Sequence, residues 1–180
     1  MSTVRELVRD KILDAAIDLL KKDQIQNISL SQIAKQAGVS RMTVYRNFKD
    51  KFEIEHAIYE RDFNSIKSLG LRDPVEVIKA QAKLFMTHKD VYRNIFTDRV
   101  QQNSFFEKWM ELSRASLLEK VRPENLTEEF LIAVNFVTYG GFYVSWACIQ
   151  GKINMDIDRL VDMIVGFWPP IIKSAMGISE

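Results

Sequence analysis

The chain has 180 residues, of which 47% are hydrophobic and 27% charged, with seven Gly and four Pro. That is enough apolar material for a packed core, and it excludes a disordered chain. Lys and Arg number 25 against 24 Asp and Glu, a net charge of +1, so no bulk polyelectrolyte character points to a partner. The longest unbroken apolar stretches, such as 130–134 and 163–172 with its two prolines, fall short of the ~20 residues that span a bilayer. No membrane partner is expected. The first ten residues carry charges where a secretory leader needs an apolar core, so the expected compartment is the cytoplasm. The single cysteine, Cys148, sits in an apolar run and reads as a core residue.

The charge is uneven along the chain. Residues 1–53 hold ten basic side chains and seven acidic ones, a local +3 that leaves −2 for the remainder. In the first helix, over about 5–22, Leu7, Ile12, Ala15, Ala16, Leu19 and Leu20 recur at the three-and-four spacing of one buried face. Ser29-Leu-Ser-Gln32 then supplies a reciprocal cap, in which a Ser hydroxyl accepts an amide three residues on while the Gln reaches back. A second helix follows, over about 30–37. Gly38 suits a left-handed helix stop and Ser40 caps a third helix over about 41–48, so Gly38-Val39 is the whole connection. Asp50-Lys-Phe-Glu53 caps a fourth helix that extends to about Leu69.

Two short helices joined by a tight Gly turn form the arrangement that lets the second protrude into a DNA major groove while the first braces it. Ile28, Leu30, Ile33, Ala34, Ala37, Val39, Val44 and Phe48 are the expected core of this head. Ser40, Arg41, Met42, Thr43, Tyr45, Arg46 and Asn47 are its expected outward face. Arg bonds guanine edges or phosphate, Thr offers a methyl to thymine and Tyr a hydroxyl to phosphate.

At these residues the sequence resembles the DNA-binding domain of TetR-type transcriptional regulators. The resemblance runs over about residues 8–58, through Ile12-x-x-Ala-Ala-x-x-Leu-Leu20 and Ser29-Leu-Ser-Gln-Ile-Ala-Lys-Gln-Ala-Gly-Val-Ser-Arg-Met-Thr-Val-Tyr-Arg-Asn-Phe-Lys-Asp-Lys51. It implies a homodimer, usually a repressor, that reads a palindromic double-stranded operator with residues 41–48 and carries a C-terminal helical domain for dimerisation and a small-molecule effector. It further implies that Tyr45 and Lys51 contact phosphate, that Thr43 reaches phosphate or base, that Ser29 caps the second helix beside the DNA backbone, and that Arg41 and Arg46 contact bases or phosphates. Departures are Gln24 at a common glycine position, Met42 for a small residue and Asn47 for a frequent His.

The remainder reads as more helices, making the chain all-α, with a three-helix DNA-binding domain over 1–53 and a helical-bundle domain over 54–180. Asp73-Pro-Val-Glu76 starts a helix at Pro74 that runs to about His88, and a short one covers 91–96. Ser104-Phe-Phe-Glu107 is expected to cap another that ends before Pro123. Thr127 starts a long helix to about Gln150, and the last begins near Met155 and is broken by Pro169-Pro170. The long helix is apolar nearly all round, so it needs cover on more than one side. A four-helix dimer interface is expected from Phe142, Trp146, Ile149, Leu160, Ile164, Phe167 and Trp168. Gly140-Gly141 fits either close backbone approach to a neighbour or plain tolerance. Tyr139-Gly-Gly-Phe-x-x-x-Trp146 followed by Gly151 is similar to C-terminal domains of short TetR-type regulators from Gram-positive bacteria, including the activator of dihydroxyacetone kinase genes.

An effector pocket would fall among Phe85, His88, Tyr92, Phe96, Phe106, Trp109, Phe136, Tyr139 and Tyr143, though aromatics at this spacing also serve as filled core. His56 and His88 lie far apart with no Cys or carboxylate cluster near either, so no metal and no cofactor is expected. No phosphate loop, nucleophile elbow or His pair marks an enzyme. The alternative to an operator-binding regulator is a helical sensor or coactivator that acts through protein contacts alone.

Overall fold

The computed structural model describes residues 3–96 and 99–178, with the backbone alone given for 99–105. Among the described residues ten α-helices and no strand occur: α1 Val4–Leu20, α2 Leu30–Ala37, α3 Arg41–Asn47, α4 Lys51–Lys67, α5 Pro74–Thr87, α6 Lys89–Ile95, α7 Arg99–Leu118, α8 Glu128–Ile149, α9 Ile157–Gly166 and α10 Pro170–Met176. They pack as two units. The first holds Met1–Asn64 with His88–Phe105, and the second holds Ser65–Thr87 with Phe106–Glu180.

In the first unit α1 opens on a reciprocal cap: Thr3 Oγ1 accepts from the Glu6 amide at 3.2 Å, and Glu6 Oε2 accepts from the Thr3 amide at 2.6 Å. Ile12, Leu13, Ala15, Ala16, Ile17 and Leu20 are buried and pack on α2 and α6. Leu13 and Ile17 thus join the expected face, whereas Leu7 is 59% exposed and does not. Gln24 has an extended backbone (φ −72°), which any residue adopts, so the missing glycine carries no strain. The turn after it, Ile25–Asn27, plugs the core with Ile25 and is held by the Lys51 ammonium, which donates to the Ile25 and Gln26 carbonyls at 2.9 and 3.2 Å. α6 packs back on α1, where the Asn94 side-chain amide donates to the Leu20 carbonyl at 2.7 Å and satisfies a free carbonyl at the end of α1.

Between α4 and α6 lies a buried polar cluster. The Asp62 carboxylate accepts from the Tyr92 hydroxyl at 2.6 Å and lies 2.7 Å from His88 Nδ1. Burial, then the charge on Asp62, push the Tyr92 phenol well above its ordinary pKa, so it remains a donor. The structure places these expected pocket residues elsewhere: Tyr92 and Phe96 are buried in the first unit and His88 is half-buried there, and none lines the cavity of the second unit.

In the second unit Asp73 caps α5 by accepting from the Val75 amide at 2.8 Å, and Thr127 caps α8 by accepting from the Phe130 amide at 3.2 Å. The helix expected to begin at a Ser104 cap begins instead at Arg99, so Ser104 is a helix-interior residue whose side chain lies outside the described residues. α9 stops at Gly166, and Pro170 stands in the first turn of α10, where a proline needs no donor partner. Phe130, Val134 and Val137 of α8 form one core with Val121, Trp168, Ile172 and Met176. α8 is long and apolar enough to cross a bilayer by composition, but here one of its faces makes the interior of a globular unit. Cys148 is buried, and burial raises its thiol pKa.

Candidate nucleic-acid interface and ligand cavity

The head is built from local hydrogen bonds. Ser29 Oγ accepts from the Gln32 amide at 3.2 Å while Gln32 Oε1 accepts from the Ser29 amide at 2.8 Å. α2 ends on Gly38 at φ +63°, with the Gly38 and Val39 amides donating to Lys35 and Ala34 carbonyls at 3.2 and 3.0 Å. That paired pattern needs a left-handed residue, which explains the glycine. Ser40 Oγ then accepts from the Thr43 amide at 3.1 Å and starts α3. Val44 and Phe48 anchor the helix in the core. The Arg9 guanidinium lies 4.2 Å from the Phe48 ring centre and donates to the Asn47 carbonyl at 2.9 Å, which places a cation on the negative end of α3.

Ser29, Ser40, Arg41, Met42, Tyr45 and Arg46 are exposed, Tyr45 by 57%. Between Ser29 and Lys49 the chain carries Lys35, Arg41, Arg46 and Lys49 and no acid, a local charge signal that the count over 1–53 dilutes. Thr43 and Asn47 are half-buried. Thr43 Oγ1 shares a hydrogen with Ser40 Oγ at 2.9 Å, and the Asn47 amide donates to the Thr43 carbonyl at 2.8 Å. Asn47 therefore finishes α3 rather than extending from it. Lys51 is half-buried and engaged with the Ile25–Asn27 turn, a role the resemblance to phosphate-binding lysines did not indicate.

The second unit contains a cavity of about 100 Å³. Phe85 and Trp109 stack with centroids 4.1 Å apart and an interplanar angle of 16°, and Phe142 meets Trp109 edge-on at 5.0 Å. Of the nine aromatic and His positions expected to line a pocket, Phe85 and Trp109 do so. Phe106 lies 4.7 Å from Phe142 and 5.2 Å from Tyr139, between centroids, and is not in the wall. Phe136, Tyr139 and Tyr143 are exposed. Most of the wall residues that sequence reasoning missed, among them Val77, Ile78, Ala82, Ser113 and Ser145, are small or aliphatic and carry no compositional mark, and Lys120 is the charged one.

The expected interface set also divides. Phe142, Ile149, Leu160 and Trp168 are buried in the protomer itself, and Trp146 and Ile164 are partly buried, leaving Phe167 exposed by 75%. The exposed apolar faces are instead Ile132, Phe136, Tyr139 and Tyr143 on α8, at four-, three- and four-residue steps, and Met163, Phe167 and Ile171 on α9 and the start of α10. A Cβ added at Gly140 or Gly141 would meet nothing within 4 Å, so no close approach inside the protomer requires either glycine.

The capped short helix projecting polar and basic side chains from a tight turn is a helix-turn-helix head, followed by a helical second unit. Residues 12–58 match the family described as bacterial regulatory proteins, tetR family, and this N-terminal domain belongs to it. The HTH-type transcriptional regulator AcrR of Shigella flexneri is 36% identical over 78 residues, covering 39% of this chain and 36% of that protein. The chain thus matches only about a third of the length of such relatives. Over nearly the whole chain the fold is that of solved TetR-type structures. A TetR transcriptional regulator from Rhodococcus sp. RHA1 aligns with a TM-score of 0.62 at 23% identity, covering 93% of this chain and 100% of that one. The dihydroxyacetone kinase operon activator DhaS aligns with 0.66 at 16% identity, covering 96% and 98%.

Proposed function

We infer that the chain is a cytoplasmic transcriptional repressor that binds a palindromic operator as a homodimer and is released by a small apolar effector. The observation that carries this reading is the Ser40-capped α3, which turns Arg41, Met42, Tyr45 and Arg46 to solvent in a segment free of acids. Residues 1–53 are the DNA-reading domain, and 54–180 hold the effector site and the dimer contact. In this reading Tyr45 donates to phosphate, Arg41 and Arg46 reach base edges or phosphate, and Ser29 and Ser40 lie beside the backbone. The apolar faces around Phe136, Tyr143 and Phe167 supply a dimer contact, since a contiguous exposed aromatic face on a soluble helix calls for a partner. Two heads held ~34–36 Å apart enter successive major grooves on one side of a duplex.

A gel-shift on the DNA upstream of the chain's own gene, repeated across salt, tests it. Specific binding should fall steeply with ionic strength, and Arg46→Ala and Tyr45→Phe should weaken it. Salt-insensitive binding, or binding unchanged in both variants, overturns the assignment and favours a sensor acting through protein contacts.

A further inference from the structure

We propose that the cavity of the second unit takes a compact organic monocarboxylate, an apolar body about the size of one ring whose carboxylate sits at the Lys120 end. That this cavity is the effector site rests on the function inferred above; the ligand's chemistry rests on the wall alone. The wall is apolar over Val77, Ile78, Phe85, Trp109 and Phe142, and the Phe85–Trp109 stack makes one side flat. Its volume of about 100 Å³ is somewhat below the ~150 Å³ of a hole that accepts benzene, so a single ring is the upper limit of the body it encloses and the carboxylate lies at its mouth.

The polar groups set the charge. No Asp or Glu lines the cavity, and the charged side chain that does is Lys120. Lys120 also borders a neighbouring concavity with Arg72 and Pro74, so two cations stand at this end. Among the described residues the Lys120 ammonium has no ion-pair partner, only a long 3.4 Å bond to the Arg72 carbonyl. A second observation is independent of that charge: Trp168, another wall residue, is buried, and its indole N–H is without a hydrogen-bond partner. A buried donor of this kind calls for an acceptor. The Thr138 hydroxyl gives its proton to the Val134 and Asn135 carbonyls at 2.8 and 3.0 Å, so its oxygen is left as a neutral acceptor. The cavity therefore offers positive charge at its Lys120 end, neutral hydroxyl and amide groups that both donate and accept, and no anion to hold a cation.

Benzoate, benzamide and benzylamine share one ring and differ in charge. Titrated into the full chain, with binding read by calorimetry and by quenching of tryptophan fluorescence, benzoate should bind at least tenfold more tightly than benzamide, and benzylamine should not bind. Lys120→Gln, an exposed position whose change leaves folding intact, should bring benzoate and benzamide within about twofold. Trp168→Phe should weaken benzoate, and Ala82→Phe, which fills the cavity, should abolish it. The proposal is overturned if benzoate fails to bind, if the amide or amine binds as well, or if Lys120→Gln keeps the preference. Binding that follows this pattern but leaves operator affinity unchanged sustains the ligand chemistry and overturns the effector role. Release of DNA by the neutral or cationic analogue does the reverse.

Discussion

Glu55 of α4 gives the most quantitative test of the first unit. Its side chain is 2% exposed and its Oε1 has no hydrogen-bond partner. Burial raises its pKa from 4.5 to about 8, against a lowering by Lys51 and with a smaller raise from Asp50. In the folded chain the carboxyl holds its proton up to about pH 8, whereas in the unfolded chain it loses it near 4.5. Between these values the folded state binds more protons, so stability is full below about pH 4.5 and is lost as pH rises through about 8. At 1.36 kcal/mol per pH unit, the window corresponds to roughly 3 kcal/mol lost by pH 7 and roughly 5 above pH 8. Gln has the shape of the protonated carboxyl. Urea unfolding followed by circular dichroism from pH 5 to 9 should therefore show Glu55→Gln about equal to wild type at pH 5 and several kcal/mol more stable at pH 9. Parallel pH profiles for the two proteins would mean that Glu55 is solvated and ionised in the fold, and the reasoning would fail.

Three further outcomes are expected. Lys51→Met should cost about 1–3 kcal/mol by removing the donor to the Ile25 and Gln26 carbonyls, yet leave the salt dependence of operator binding unchanged; a slope reduced by about one would place Lys51 on phosphate instead. Tyr92→Phe should lower stability by roughly 1–3 kcal/mol in thermal melts, because a buried carboxylate loses a short hydrogen bond; an unchanged melting temperature would show that Asp62 is satisfied without it. Phe136→Arg should sediment as a folded monomer, while Phe142→Arg, at a buried position, should unfold the second unit; a Phe136→Arg dimer would move the contact elsewhere.

The head was legible because its punctuation is local. Ser29, Gln32, Gly38 and Ser40 each act on backbone within five residues, so spacing alone specifies the bonds that form. Non-local choices were not legible. Phe130 and Phe136 sit on the same helix with the same side chain, yet one is fully buried and the other 70% exposed, because the core is decided by α10 and the chain around Val121. His88 and Tyr92 have the composition of pocket residues, but both turn to Asp62 of α4 instead. Ser104-Phe-Phe-Glu107 has the composition of a cap but lies inside a continuous helix, and a capping residue must itself stand outside helical geometry. Lys120 drew no expectation from sequence and Trp168 only one for a dimer contact, because what distinguishes both in the cavity wall is a missing partner.

The clamp from Arg9 onto Phe48 and Asn47 has a wider consequence. A helix of seven residues does not hold its shape alone, so the aim of α3 is set from outside itself. Drift at position 9 or 48 would then alter which base steps the protein prefers as effectively as drift at 41 or 46, although neither side chain need touch nucleic acid. Specificity in such a reader is inherited partly by its scaffold, and two relatives with identical outward faces need not share a target.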